Sequence, residues 1–172
     1  MRVHQYVPEA RSGAKDITIA IALLLFAAVL IRDGQVPLLA YVDLGFHELG
    51  HLLTYPFPDL VTAVAGSFFQ VAVPVGLAAY FFAFRGDESA SALMFGWAAT
   101  SSYSVATYIA DAPYERLELI GGDHDWAHIL FTLDQIDAAA PLATAVRVLA
   151  WLMLLSAGVL LAHPYLKRIM SS

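Results

Sequence analysis

The segment LVTAVAGSFFQVAVPVGLAAYFFAF, residues 60–84, contains 25 residues and no charged side chain. The hydrocarbon core of a bilayer is about 30 Å thick, and a helix needs roughly 20 apolar residues to cross it. Residues 60–84 are therefore predicted to form a membrane-spanning helix. Four further apolar segments lie on either side of it in the chain, at about 17–31, 36–57, 89–110 and 138–162.

The composition of the whole chain also indicates a membrane protein. Of its 172 residues, 59% are hydrophobic and 14% are charged, and the mean hydropathy is +0.66. Soluble domains have about 45–50% apolar and about 25% charged residues, which excludes a soluble enzyme and a disordered chain. The formal charge of −6 excludes a basic nucleic-acid-binding surface, and the absence of cysteine excludes disulfides and thiolate ligands.

We predict an all-α fold, a polytopic membrane helix bundle that forms a single transmembrane domain over residues 1–172. Four or five of its helices are expected to be embedded in the membrane. The first apolar segment follows a basic head with Arg2, Arg11 and Lys15, which resembles a signal peptide. No small-residue cleavage site follows this segment, so we expect an uncleaved anchor.

Two topologies are compatible with the apolar segments. In the first, all five segments cross the membrane, and Arg85 and the pair Lys167–Arg168 lie outside, against the positive-inside tendency. In the second, segment 36–57 enters and leaves on one face and four segments span, so that the basic head, Arg85 and the pair Lys167–Arg168 are all cytoplasmic. In both topologies, the end of segment 36–57 shares a membrane face with the polar loop predicted at 111–137.

The second apolar segment carries an HExxH motif, His47-Glu48-Leu49-Gly50-His51. Positions i and i+4 share a helix face, so both imidazoles can bind one zinc ion, and Glu48 can accept a proton from a water that the metal activates. Placing an ionisable side chain inside a membrane costs free energy, so such residues usually have a function where they occur. The alternative is a packed, hydrogen-bonded histidine pair beside a buried acid.

A catalytic zinc site needs a third protein ligand and an open fourth position. The polar loop contains GGDHDWAH, residues 121–128, and His124 is the preferred third ligand because the two glycines before it let the backbone approach closely. Asp111 is the alternative third ligand.

Other polar residues of the loop have alternative roles. Asp123 or Asp125 could bind the metal or orient an imidazole from behind. His128 lies four residues after His124, so these two histidines could instead form a second metal pair.

Five more side chains are weighed as supporting groups. Gln70 could hydrogen-bond a ligand or a substrate carbonyl, and Ser67 fits close helix packing or a substrate path. Trp126 suits packing or an interfacial position, although its place beside Asp125 also makes it a site candidate. Arg147 could extend to the interface or pair with Asp125 or Asp111. Asp43 could support His47 or simply lie near the helix start.

Four sequence islands resemble a known group of proteins. HELGH within an apolar segment resembles the site-2-protease class of intramembrane zinc metalloproteases. The order HELGH, GSFFQ, YIADA and GGDHDW, from about residue 43 to 130, resembles small bacterial membrane proteins described as membrane zinc metallopeptidases. The site-2-protease class carries an Asp-Gly pair in a later span, whereas here Ala112 follows Asp111.

The resemblance implies zinc bound by His47 and His51, with Glu48 as the catalytic base. The island at His124, Asp125 and Trp126 would supply the remaining groups of the site. It also implies a location in the bacterial inner membrane.

The leading functional hypothesis is a zinc-dependent hydrolase that cleaves an amide bond in or beside the membrane. Its expected partners are membrane lipids and a membrane-embedded protein or lipid substrate, and no nucleic acid. The alternatives are a zinc-dependent hydrolase of lipid amides or esters, and a protein that binds or transports metal without catalysis.

Overall fold

The computed structural model describes residues 13–119 and 123–171, which contain α-helices and one 3₁₀ turn but no β-strand. The all-α prediction is thus confirmed. Arg2 and Arg11 of the basic head, and Gly121 and Gly122 of the loop, lie outside the described residues. In chain order the elements are α1 (Gly13–Ile31), α2 (Pro37–Thr54), α3 (Asp59–Arg85), α4 (Glu88–Asp111), α5 (Asp125–Thr132), the turn Ile136–Ala138 and α6 (Ala139–Met170).

Within the described residues, three segments are long and apolar enough to cross a membrane: α1, α3 and Ile136–Met170, which comprises the 3₁₀ turn and α6. The expectation of a membrane helix bundle is confirmed in this coarser form. Helix α4 is less apolar because it lies in the centre and contacts every other helix. Its buried surface consists largely of Ala, Ser and Gly, small residues that allow close helix packing.

Side-chain contacts fix the directions of the helices around α4. Ser89, at the start of α4, donates a hydrogen bond to Asp16, at the start of α1. Tyr103, farther along α4, donates one to Asp33, just after α1. Helices α1 and α4 therefore run parallel.

Helices α3 and α6 run antiparallel to α4. The Ser91 hydroxyl donates to the Ala78 carbonyl, whereas Gln70, earlier in α3, reaches the Ser101 carbonyl, later in α4. On α6, Tyr165 donates to Asp16 beside the start of α4, and the start of α6 packs near the end of α4. We call the end where α1 and α4 finish and α3 and α6 begin the cleft end, and the opposite end the closed end.

Helix α2 has both of its ends at the cleft end. It begins directly after α1 finishes there, and it finishes directly before α3 begins there. This arrangement corresponds to the second topology, in which segment 36–57 enters and leaves on one face. Helix α2 packs tightly on α3, since a Cβ atom on Gly50 would lie 2.4 Å from the Ala65 carbonyl oxygen.

The described residues of the polar stretch 111–137 include regular secondary structure in addition to loop. It contains the two-turn helix α5 and most of the 3₁₀ turn. Helix α5 packs on α3 and α4 and buries Ala127, Ile129 and Leu130. Tertiary packing of these apolar residues holds the helix against the end of the bundle, directly beside α2's histidines.

Candidate metal centre

Three side chains converge where α2 and α5 meet. His47 and His51 lie one turn apart on α2, and Asp125 is the first residue of α5. One carboxylate oxygen of Asp125, Oδ2, lies 2.9 Å from His47 Nε2 and 3.3 Å from His51 Nε2. Among the residues that the structure describes, these three form the one group able to hold a metal ion.

The far side of each imidazole ring faces a hydrogen-bond acceptor. His47 Nδ1 lies 3.3 Å from the side-chain oxygen of Gln70, and His51 Nδ1 lies 2.8 Å from the backbone carbonyl of Thr62. Gln70 is itself oriented by its amide nitrogen, 3.5 Å from the Ser101 carbonyl oxygen. Histidines that bind metals commonly donate their second ring N–H to such a group, which fixes the tautomer and the ring plane.

Each imidazole therefore has an acceptor on both nitrogens. A neutral imidazole has one N–H, so it can satisfy the acceptor at Nδ1 or the carboxylate at Nε2 but not both. Two adjacent imidazolium cations would satisfy all four contacts at a large cost, since His47 is buried. A metal cation among the two Nε2 atoms and the carboxylate satisfies the same contacts with both rings neutral.

The separations between the three side chains are compatible with a small bound ion. Ligand atoms about 2.0–2.2 Å from zinc at tetrahedral angles lie roughly 3.3–3.6 Å apart. The separation of 3.3 Å between Asp125 Oδ2 and His51 Nε2 falls in this range, whereas the 2.9 Å to His47 Nε2 is a hydrogen-bond distance that would lengthen on metal binding. Space for the rings comes from Gly66 on α3, where a Cβ atom would lie 2.6 Å from His47 Nε2 and 2.7 Å from His51 Nε2. Two nitrogens and one carboxylate leave a fourth position open, as in catalytic zinc sites.

Three hydrogen bonds hold Asp125 in this position, one of them donated by the Tyr108 hydroxyl to Oδ2 at 3.5 Å. The indole N–H of Trp126 donates to the Ser67 hydroxyl at 3.0 Å, which joins α5 to α3. The hydroxyl of Tyr108 on α4 accepts a bond of 2.9 Å from the backbone N–H of Asp125. Tyr108 is not among the site residues predicted from sequence, although its place in the YIADA island was a usable signal. The Thr62 carbonyl had no signal, because any residue supplies one.

His124, the preferred third ligand from sequence, lies in a different environment. It is buried at the N-cap of α5, where Nδ1 accepts a bond from the Ala127 backbone N–H. Its Nε2 lies 3.4 Å from Asp111 Oδ2 without hydrogen-bond geometry. Asp111 accepts bonds from the backbone N–H groups of Arg116 and Leu117. Because the His124 side chain caps α5, it does not face His47 and His51. The side chain of the next residue, Asp125, faces them instead.

The other loop candidates lie around the cleft and not in the metal group. Asp123 and His128 both line the cleft, and both are exposed. His128 stays separate from buried His124, and the described part of the chain offers no second metal group there.

A cleft of about 1150 Å³ opens in front of the metal group. Helices α2 and α4 and residues 117–119 contribute to its walls, and the acidic side chain of Glu48 lies in the lining. Glu48 is exposed and directly follows His47, so a water or a substrate in the cleft can reach both. Asp43 also lines the cleft, but its buried carboxylate already accepts hydrogen bonds of 2.8 Å from the side chains of Trp97 and Ser101.

Arg147 lies away from the metal group. Its guanidinium is 5.8 Å from the centre of the Tyr103 ring. None of the ion pairs between described residues joins it to Asp111 or Asp125, the two partners considered from sequence. The contact between Arg147 and Tyr103 therefore joins α6 to α4 and does not involve the loop acids.

Comparisons with protein-family models, with curated proteins and with solved structures found no match to this chain. The relationship to site-2 proteases accordingly stays a prediction from the four sequence islands. The function is therefore inferred from the geometry of the cleft and of the residues around it.

Proposed function

We propose that this protein is an integral-membrane zinc-dependent hydrolase that cleaves an amide bond of a polypeptide at the membrane. The observation that carries the proposal is the pair of imidazoles with acceptors on both nitrogens, converging on Asp125 beside an exposed glutamate. His47, His51 and Asp125 are the metal ligands in this proposal. A single metal group with a neighbouring base suits hydrolysis better than transport, which requires ligands along a path.

Each residue has a defined task in the proposed reaction. Zinc bound there would polarise the substrate carbonyl and lower the pKa of a water molecule toward about 7. Glu48 takes the proton of the attacking water and passes it to the leaving amine. Gln70 and the Thr62 carbonyl accept the imidazole Nδ1–H groups, which would leave both Nε2 lone pairs available to hold a metal. Trp126 and Tyr108 hold Asp125 in place.

The test compares Glu48→Gln with wild-type protein purified in neutral detergent and loaded with zinc. The probe is a mixed library of quenched peptides, with products identified by mass spectrometry. Loss of a general base costs about 10²–10⁴-fold in rate, and we expect that loss with zinc content unchanged. Glu115→Gln is the matched control, since Glu115 is exposed at the same end and is not in the cleft lining. Equal cleavage by Glu48→Gln, or no cleavage by the zinc-loaded wild type, would contradict the proposal.

We further propose that the protein lies in a bacterial inner membrane with the cleft facing away from the cytoplasm. In the described residues, the closed end carries four basic side chains, Lys15, Arg85, Lys167 and Arg168, whereas the cleft half carries three, Arg32, Arg116 and Arg147. Cytoplasmic loops are enriched in Lys and Arg. The closed end is therefore the cytoplasmic one.

Introduced cysteines test this orientation, because the natural chain has none. Gln135 and Ser171 are exposed at the cleft end and the closed end, respectively. We expect a membrane-impermeant maleimide to label Gln135→Cys in intact spheroplasts and to label Ser171→Cys only after lysis. The reverse pattern would place the cleft in the cytoplasm.

A second candidate is a hydrolase of lipid amides or esters. It is favoured by the outer face of α2, where large apolar side chains are exposed beside the cleft: Leu38, Tyr41, Leu49, Leu52 and Tyr55. Lipid could reach the site along this face. The charge of the cleft distinguishes the two candidates.

A further inference from the structure

The cleft is lined by carboxylates and by no described cation of the Lys or Arg type. Six acidic side chains line it: Asp43, Glu48, Asp59, Glu118, Asp123 and Asp125. Buried Asp43 is engaged by Trp97 and Ser101, so five acids remain to face the cleft, and a bound divalent ion would offset two of their negative charges. The opening in front of the metal group therefore keeps a strongly negative potential after the metal is bound.

The acids surround the opening on several sides. Glu48 comes from α2, Asp59 from the first turn of α3, and Glu118 and Asp123 from the segment between α4 and α5. These four side chains are all exposed, whereas Asp43 is buried between two hydrogen-bond donors. Charges of one sign on low-dielectric walls focus their field into a cleft, which raises the local concentration of oppositely charged substrates.

We propose that the cleft selects a positively charged polypeptide segment, with Lys or Arg side chains close to the bond that is cleaved. This inference rests on the proposed hydrolase function and specifies its substrate. A phosphate-bearing lipid headgroup would meet like charge at the opening, and like-charge contacts are an effective means of rejecting a ligand. The cleft volume of about 1150 Å³ exceeds the roughly 300–1,000 Å³ of most small-molecule pockets, which suits several residues of an extended chain.

Binding without turnover tests the inference separately from catalysis. The zinc-loaded Glu48→Gln protein in neutral detergent is titrated into two fluorescent peptides that share one apolar core. One core is flanked by lysines and the other by glutamates, and fluorescence anisotropy reports binding. We expect the lysine peptide to bind at least about tenfold more tightly at low salt, and this preference to shrink as salt screens the charges.

Paired variants assign the preference to the cleft. The double variant Glu118→Gln/Asp123→Asn removes two cleft charges, and we expect it to weaken binding of the lysine peptide roughly two- to thirtyfold, from about 0.2–1 kcal/mol per exposed charge. The control Glu115→Gln/Asp137→Asn removes the same charge from exposed positions at the same end outside the cleft lining. We expect it to leave the preference unchanged.

The outcomes separate the two proposals. Preferred binding of the lysine peptide supports the inference even if the wild type cleaves neither peptide, in which case the hydrolase proposal fails. Equal binding, a preference for the glutamate peptide, or displacement of the lysine peptide by short-chain phosphatidylglycerol would overturn the inference. Cleavage of the glutamate peptide in preference would overturn it too, while leaving the hydrolase proposal intact.

Discussion

Each end of the helix bundle holds a carboxylate between helices, but the two carboxylates have different kinds of partner. At the closed end, buried Asp16 accepts bonds of 2.5 Å from the hydroxyls of Ser89 and Tyr165. At the cleft end, Asp125 faces two imidazole nitrogens whose rings are held from behind. Asp16 meets donors from α4 and α6, so its contacts join three helices. Asp125 meets groups that can themselves be metal ligands.

This difference shows why burial alone does not identify a functional acid. An acid that is met by donors contributes to structure, because its hydrogen bonds are complete without any ligand. An acid that faces two imidazoles, each with an acceptor at Nδ1, can instead join them in holding a cation. Variants at each end should therefore affect different properties, metal affinity at the cleft end and folding at the closed end.

The largest expected effect comes from Gly66→Ala. Its new Cβ atom would lie within 2.7 Å of both Nε2 atoms and would force the rings from their positions. We expect zinc affinity to fall by about 100-fold or more, measured by competition with a chromogenic chelator. Gly76→Ala on the same helix is the control, since nothing lies within 4 Å of its Cβ position. Unchanged affinity in Gly66→Ala would refute the assigned ligand geometry.

Gln70→Ala should have the next largest effect. It removes the acceptor behind His47, so the ring loses its fixed tautomer and orientation. Loss of such a supporting group costs about 10–100-fold in metal affinity, and the same competition assay measures it. Gln135→Ala changes an exposed glutamine at the same end and should have no effect. If both variants bind zinc like the wild type, Gln70 does not support His47.

The hydrogen bond between Trp126 and Ser67 should contribute less. Trp126→Phe and Ser67→Ala each remove it, and a bond of this kind contributes about 0.5–1.5 kcal/mol. Zinc affinity should fall a few-fold in each single variant, and the double variant should lose little more than either one. Additive losses in this double-mutant cycle would show that the bond does not position Asp125.

The smallest effect is expected at the closed end, where Asp87 lies between α3 and α4. Burial raises its pKa, but hydrogen bonds from Lys15 and the Ala90 backbone N–H outweigh this and hold the pKa below its ordinary value. The stabilisation is therefore present above the unfolded-state pKa of about 4 and is lost as the pH falls through the lower folded-state value. Asp87→Asn should lower the thermal unfolding temperature slightly at pH 7.

The same comparison at low pH checks the sign of the Asp87 effect. As the carboxylate of the folded wild type becomes protonated, the difference between wild type and Asp87→Asn should shrink. Zinc affinity near pH 7 should be equal in the two proteins, because Asp87 lies at the opposite end. A difference in unfolding temperature that grows toward low pH would contradict the assigned ion pair.

Much of the fold was predictable from the apolar segments. The predicted segments 60–84 and 89–110 differ from α3 and α4 by one residue at each end, because charged residues and turns bound the helices there. Helix α6 extends past the predicted 162 to Met170, since a helix can continue beyond its apolar part when its polar side chains are exposed. The position of α2, with both ends on one side, depended on tertiary contacts.

The candidate site was predictable where ligands lie close together in sequence. His47 and His51 share a helix face by spacing alone. The choice between His124 and Asp125 depends on where α5 begins, and one residue of difference determines which side chain caps the helix and which faces α2. The role of Gly66 is visible only once α2 and α3 are packed together.

The most direct test of the account is the zinc content of the purified, zinc-loaded protein in four variants. His47→Ala and Asp125→Ala remove proposed ligands, His124→Ala removes the neighbouring cap, and Asp16→Asn changes the buried acid at the closed end. The account predicts about one zinc per chain in the wild type, in His124→Ala and in Asp16→Asn, and none in His47→Ala or Asp125→Ala. Zinc retained by folded Asp125→Ala but lost from folded His124→Ala would contradict it.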